Sequence, residues 1–245
     1  MKQVRSSYKT VEEMRNDPHD VSMDGDMGDG GARFQGSTVP ELAFQYFSKD
    51  DVILECGPIF GRFTQMLQEA GYRHIHALDF VDKLQYPDRS LLTFHRVDFN
   101  RDIFPYPDNF FDGAAAWGIG EHLENQFHFA REVARVLKPG GVFLFSVPNV
   151  FHIISRLVFL KRGMFPRWSY ENNHITILPR GVFEKTWLRD FELVKTIYVK
   201  PRFQYLFFDR FAKYLPANQW FGDYVVYVLK ARTDKRSYLK PAPKD

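Results

Sequence analysis

The sequence lacks disulfide-forming cysteines, any long apolar run and a strong charge of either sign. One cysteine, Cys56, stands among 245 residues, which excludes an internal disulfide framework and suits a reducing compartment. No apolar stretch approaches the roughly 20 residues needed to cross a bilayer, so no stable membrane insertion is expected. Residues 1–20 are polar and charged throughout, without the apolar centre of a secretory leader; a cytoplasmic location is the expectation. The net charge of +3 is too small to make nucleic acid an expected partner. The sequence carries no mark of oligomeric state. Hydrophobic residues make up 44% of the chain, with 25 Phe and 12 Tyr, enough for one α/β domain with a sizeable core.

Residues 1–37 have no sustained period and read as a flexible N-terminal arm. The stretch HDVSMDGDMGDGGARF within it invites comparison with a calcium loop. Starting at Asp20, however, Ser22 falls at the third ligand position and Gly31 where the bidentate Glu belongs. From residue 38 to 232 the pattern is that of a folded domain, and 233–245 reads as a loose, charged tail. A helix is expected through ELAFQYF, a strand at DVILEC, and a helix through RFTQMLQEAG closing at Gly71. Further strands are expected at HIHALD, LTFHRVDF, FDGAAAW and VFLFSV. A helix GEHLENQFHFAREVARVL precedes the last of these and ends at Lys-Pro-Gly-Gly. Helices at FHIISRLVFLKRGMF and PRGVFEKTWLRDF follow, then closing strands FELVKTIYVK and YVVYVLKAR around an aromatic insertion, 201–222. Strands alternating with helices at these lengths predict a doubly wound, mostly parallel, Rossmann-like sheet of seven strands with helices on both faces.

The stretch ILECGPIFGRFT joins the first strand to the following helix through Gly57 and Gly61, with Ile59 where a ligand-binding turn of this kind would have a middle glycine. If that position requires positive φ, a β-branched residue costs about 1–2 kcal/mol, which would weaken a ligand about tenfold. Asp79 ends the second strand, where a carboxylate can accept hydrogen bonds from ribose hydroxyls. Asp98 ends the third, where it can accept from an exocyclic adenine amine. With Glu55 on the first, three parallel strands present acids at the sheet edge where ligands of such folds lie. The helix opening at Arg62 directs its N-terminal dipole toward the same edge.

These features together resemble a class I S-adenosylmethionine-dependent methyltransferase, in the broad group of type 11 and ubiquinone-biosynthesis-like small-molecule enzymes. LECGPIFGRFT is similar to the family's first motif; ALDF carries the ribose acid and RVDF the adenine-side acid. YPDNFFDGAAAWGIGEHLEN resembles the segment with Phe-Asp, a short apolar strand and Glu-His-Leu. REVARVLKPGG followed by VFLFSVPN matches the family's helix and fifth strand. The resemblance covers residues 50–150, the cofactor half. It implies S-adenosyl-L-methionine as cofactor. Gly57 and Gly61 would line its methionine portion, Asp79 would bind the ribose, Asp98 and Phe99 would flank the adenine and Trp117 would border the cofactor, with Glu55 and Phe80 as further cofactor-binding residues. A dinucleotide oxidoreductase shares the turn and acid, but a pyrophosphate requires closer backbone approach than Ile59 offers.

Methyl transfer from a sulfonium is an in-line displacement whose leaving group needs no proton. Alignment is therefore the main requirement, worth up to about 7–11 kcal/mol. A hydroxyl acceptor would gain about 10²–10⁴-fold from a general base, for which His174 and His122 are candidates by location, with His152 a third. The ubiquinone-pathway branch carries a metal-associated acid three residues before its Glu-His pair; here that residue is Gly118, and no metal is expected. Substrate-side elements are expected at 150–180 and 201–222, and a small-molecule or saccharide acceptor, methylated on a hydroxyl oxygen, is the leading expectation. FHIISRLVFLKRGMFPRW reads as a packed helix, a lid or a membrane-surface helix. The competing function is a catalytically inactive methyltransferase-like binding or scaffold protein, for which Ile59 is the main argument.

Overall fold

A computed structural model describes residues 40–168, 173–199 and 214–233. The N-terminal arm with its calcium-like stretch, most of the aromatic insertion and the C-terminal tail beyond 233 lie outside the described residues.

A single seven-stranded sheet organises the chain. Its strands are β1 (Ile53–Cys56), β2 (Ile75–Asp79), β3 (Leu92–Arg96), β4 (Phe111–Trp117), β5 (Leu137–Pro148), β6 (Phe191–Tyr198) and β7 (Tyr224–Ala231), in the spatial order β3-β2-β1-β4-β5-β7-β6. The first five run parallel; β7 pairs antiparallel with both β5 and β6. Helices α1 (Ala43–Tyr46), α2 (Arg62–Glu69), α3 (Gln126–Val136), α4 (Ile153–Arg162) and α5 (Arg180–Thr186) connect or flank the strands. All four residues of β1 are buried, as expected of a central parallel strand covered on both faces.

Strand alternation sorts the core into two layers. On β1, Leu54 and Cys56 join one cluster with Phe104, Phe129, Phe143, Phe145 and Trp187. Ile53 joins the other with Phe47, Phe63, Leu67, Trp117 and Leu144. Successive strand residues point to opposite faces, so the two clusters are the two helix-covered sides of the sheet. Helix α2 contributes Phe63 and Leu67, one turn apart on the same face. Helix α3 buries Phe129, Ala130, Val133, Ala134 and Val136.

Two local expectations are corrected. The segment from Gly120 forms a short 3₁₀ turn at Gly120–His122, and α3 begins only at Gln126. Asn125 caps it, its side chain accepting from His128 N at 3.1 Å, which satisfies a donor the helix would otherwise leave open. Lys-Pro-Gly-Gly does not separate helix from strand, because β5 starts at Leu137, directly after α3. Leu137 pairs with Phe111 and Val142 with Gly113, so residues 138–141 bulge opposite Asp112, with Gly140 at φ 82°. The glycines serve a bulge inside the strand.

Candidate functional site

The carboxyl ends of β1, β2, β3 and β4 open on one edge of the sheet. After β1 the chain reverses through Gly57 (φ 73°), Ile59 (φ 51°) and Gly61 (φ 83°) before entering α2. Ile59 therefore does occupy the left-handed region that β-branched residues disfavour. Gly57 N donates to Leu78 O at 2.8 Å and Gly61 N to Pro58 O at 2.7 Å, tying the turn to β2 and closing it. A Cβ at Gly57 would meet Ile119 Cδ1 at 2.1 Å, and one at Gly61 would meet Leu84 and Pro87 at 2.6–2.8 Å. Both glycines are fixed by close approach as well as by φ.

Glu55 is buried and accepts a hydrogen bond from the Thr64 hydroxyl of α2. Burial pushes its carboxyl up to about 8, the Thr64 bond opposing the shift. Asp79 is likewise buried, and burial raises it to about 6 against the pull of backbone N–H groups. It accepts from Phe80 N at 2.8 Å and Ile59 N at 3.4 Å, so the positive-φ residue presents its N–H to the acid of the neighbouring strand. Asp98, also buried, pairs with Arg101 at 3.1 Å and accepts from Asn100 N at 3.1 Å.

Asp79, Phe80, Asp98 and Phe99 line one cleft together with Ile59, Asn100, Ile119, Leu123 and His122. Two carboxylates that can accept hydrogen bonds, set between apolar walls, suit a ribose diol and a flat heterocyclic base. The cleft is narrow, about 60 Å³, with Ile59 and Ile119 in its walls; an adenosyl group needs more room. Trp117 stands elsewhere: it is 2% exposed and packs edge-on against Phe63 at 5.3 Å, in the core. Asn100 and Ile119 are among the lining residues that sequence reasoning did not name, as are Val81, Lys83 and Asn173. Asn100 follows the third-strand acid by two residues, a proximity that offered a signal; Ile119 offered none.

A second, larger cavity of about 560 Å³ lies toward β5, β6 and β7. Val147, Val150, Phe183, Leu193 and Val225 give it apolar walls, Trp168, Tyr198 and Tyr227 aromatic ones, and Arg156, Gln126, Thr176 and Asn149 polar points. Glu121 borders this cavity and His122 borders the narrow cleft, so the turn after β4 is a wall common to both.

His174 meets that wall. Ile175 N and Thr176 N donate to Glu121 O at 2.8 and 3.0 Å, and the Thr176 hydroxyl donates to Leu123 O. These bonds bring the two histidine rings to 4.7 Å in an edge-on arrangement. The His122 ring meets Asn173 O through Nδ1 at 3.0 Å. Burial first, then the neighbouring His122, holds His174 down at about 3, which makes it a neutral ring and a weak proton acceptor. His152 is the cap of α4: its Nδ1 accepts from Ser155 N at 3.2 Å, and burial lowers it to about 4.

The sheet order, five parallel strands followed by an antiparallel pair, defines a Rossmann-like α/β class of protein. A family profile described as "Methyltransferase domain" matches residues 33–195, more than half of the chain, and the chain belongs to the class I S-adenosylmethionine-dependent methyltransferase family. A protein of Mycolicibacterium smegmatis named "Probable S-adenosylmethionine-dependent methyltransferase" is 32% identical over 111 residues, 44% of this chain and 41% of that protein. The chain thus spans less than half of that relative's length. The crystal structure of an S-adenosylmethionine-dependent methyltransferase from Mesorhizobium loti superposes with a TM-score of 0.57 at 16% identity, over 80% of this chain and 99% of that one. The [4+2]-cyclase SpnF gives 0.63 at 15% identity, over 92% and 98%. At such identities these two structures establish the fold alone. Among the described residues no helix is long and apolar enough to cross a membrane.

Proposed function

We propose that the protein transfers a methyl group from S-adenosyl-L-methionine to a hydroxyl oxygen of a small-molecule or glycan acceptor. The single observation that carries this reading is the pair of spaces separated by the Glu121–His122 turn: an acid-lined cleft at the first three strands and a roomy cavity beside it. Glu55, Gly57, Gly61, Asp79, Phe80, Asp98 and Phe99 are the cofactor side. Asp79 holds the ribose hydroxyls; Asp98 and Phe99 hold the adenine. The cofactor supplies an electrophilic methyl, and the protein's part is to align the acceptor oxygen with it and exclude water. Aromatic and apolar walls suit the flat face of a ring, and the polar points orient its hydroxyls. His122 and His174, the candidates for a base, meet at the wall between the two spaces.

Calorimetry with S-adenosylmethionine and S-adenosylhomocysteine tests the cofactor assignment, with micromolar binding expected; no heat near millimolar ligand sinks it. Labelled-methyl transfer to candidate acceptors then tests turnover. The second reading is a methyltransferase-like binding protein without catalysis. The strained Ile59 and the narrow cleft favour it, and cofactor binding without transfer to any acceptor would establish it.

A further inference from the structure

We propose that Glu121, His122 and His174 bind a divalent first-row transition cation, of the Zn²⁺ class, at the wall between the cofactor cleft and the larger cavity. Each of the three offers one donor atom, and these atoms all lie within 4.8 Å of one another. Donors on one ion at about 2.0–2.2 Å stand up to about 4 Å apart, so only small side-chain movements separate this arrangement from a coordinated one. Two imidazoles and a carboxylate are a nitrogen-rich set that suits Zn²⁺ and its neighbours over Mg²⁺ or Ca²⁺, which prefer oxygen ligands.

The outer hydrogen bonds have the form such a site needs. The Nδ1 edge of His122 is against the Asn173 carbonyl at 3.0 Å. That carbonyl accepts the Nδ1 proton, fixes the tautomer and leaves Nε2 with its lone pair for a metal. His174 has a backbone hydrogen bond with Arg167, and its loop is fastened to the Glu121 carbonyl by two backbone bonds. The ligands thus come from two segments more than 50 residues apart that are held in register independently of any ion. Gly118 removed only one position from consideration; the third donor comes from His174, which follows β5 in the chain.

Three protein ligands leave coordination positions open, and Glu121 borders the larger cavity. An ion there would hold an acceptor oxygen beside the cofactor cleft. This role for the ion rests on the methyltransferase reading; whether the ion binds does not.

The test uses the full chain stripped with a chelator and titrated with Zn²⁺ by calorimetry and with Co²⁺ by visible absorption. Binding of one ion is expected, with a ligand-field band from Co²⁺. Glu121→Gln and His174→Asn should each weaken it at least tenfold while leaving S-adenosylhomocysteine binding and far-ultraviolet circular dichroism in place. No binding by millimolar Zn²⁺, or equal affinity in wild type and a folded variant, overturns the proposal. Should Glu121→Gln fail to fold, His174→Asn and His122→Asn carry the comparison. Because cofactor binding is read separately, loss of the ion site and failure of the methyltransferase reading give different results.

Discussion

Asp79 is asked to be two things at once. In the proposed cofactor role it would present a charged carboxylate; as a buried residue it pays for that charge, and burial lifts it to about 6. Asp79→Asn keeps the shape and removes the charge. Apo stability at pH 8 should rise by about 1–3 kcal/mol, seen as a higher denaturation midpoint. Affinity for S-adenosylhomocysteine should fall about ten- to a hundredfold, the loss of one or two charged hydrogen bonds. Unchanged affinity would remove the ribose role. Ile59 poses the converse case, a residue whose side chain opposes its backbone at φ 51°. Ile59→Gly relieves about 1–2 kcal/mol of strain, offset in part by the greater freedom glycine has in the unfolded chain. Calorimetry should show cofactor binding equal to or up to about tenfold tighter than wild type; a marked loss would mean that the isoleucine side chain itself grips the ligand.

Elements show where sequence reading stops. The shared cleft of Asp79 and Asp98 is legible because each strand and crossover of a parallel sheet returns the chain to the same edge, so spacing along the sequence maps to proximity in space. Glu55 on β1 is instead buried against Thr64 and does not line that cleft. The bulge at residues 138–141 was not legible: Pro-Gly-Gly reads as a helix stop whether a loop or a strand follows. Trp117 was ambiguous because an aromatic residue at a strand end can face the core or a ligand. His174 was found by its location, but its approach to Glu121 depends on backbone bonds between distant segments, which no local pattern records. A similar long-range tie supports α3. Arg135 pairs with Glu132 at 2.7 Å and donates to the carbonyls of Phe104 and Tyr106 at 3.0 and 2.9 Å, while Glu132 accepts from Phe104 N at 2.9 Å. With the Arg135 side chain a quarter exposed, Arg135→Ala should cost about 2–3 kcal/mol, below the loss for a fully buried pair. Urea denaturation should show a lower midpoint with an unchanged slope.

At the scale of the whole molecule, Glu55 and Asp79 together set a pH dependence. Both are raised in the folded state, to about 8 and about 6, so between the unfolded and folded values the native chain binds more protons than the unfolded one. Their contribution to stability is complete below about pH 4 and is lost as pH rises through about 6 for Asp79 and about 8 for Glu55. Apo protein should accordingly melt at progressively lower temperature from pH 5 to pH 9, and Glu55→Gln with Asp79→Asn together should flatten that slope. A slope unchanged in the double variant would place the titrating groups elsewhere.

The partition at Glu121–His122 also has a kinetic meaning. Two ligands that enter separate spaces on either side of one turn need not wait for each other. Initial-rate plots should then give intersecting lines, and a dead-end analogue of the acceptor should inhibit non-competitively against the methyl donor, where a donor-first order would make it uncompetitive. An obligatory order, with the acceptor binding only after the donor, would mean that filling the narrow cleft shapes the neighbouring room.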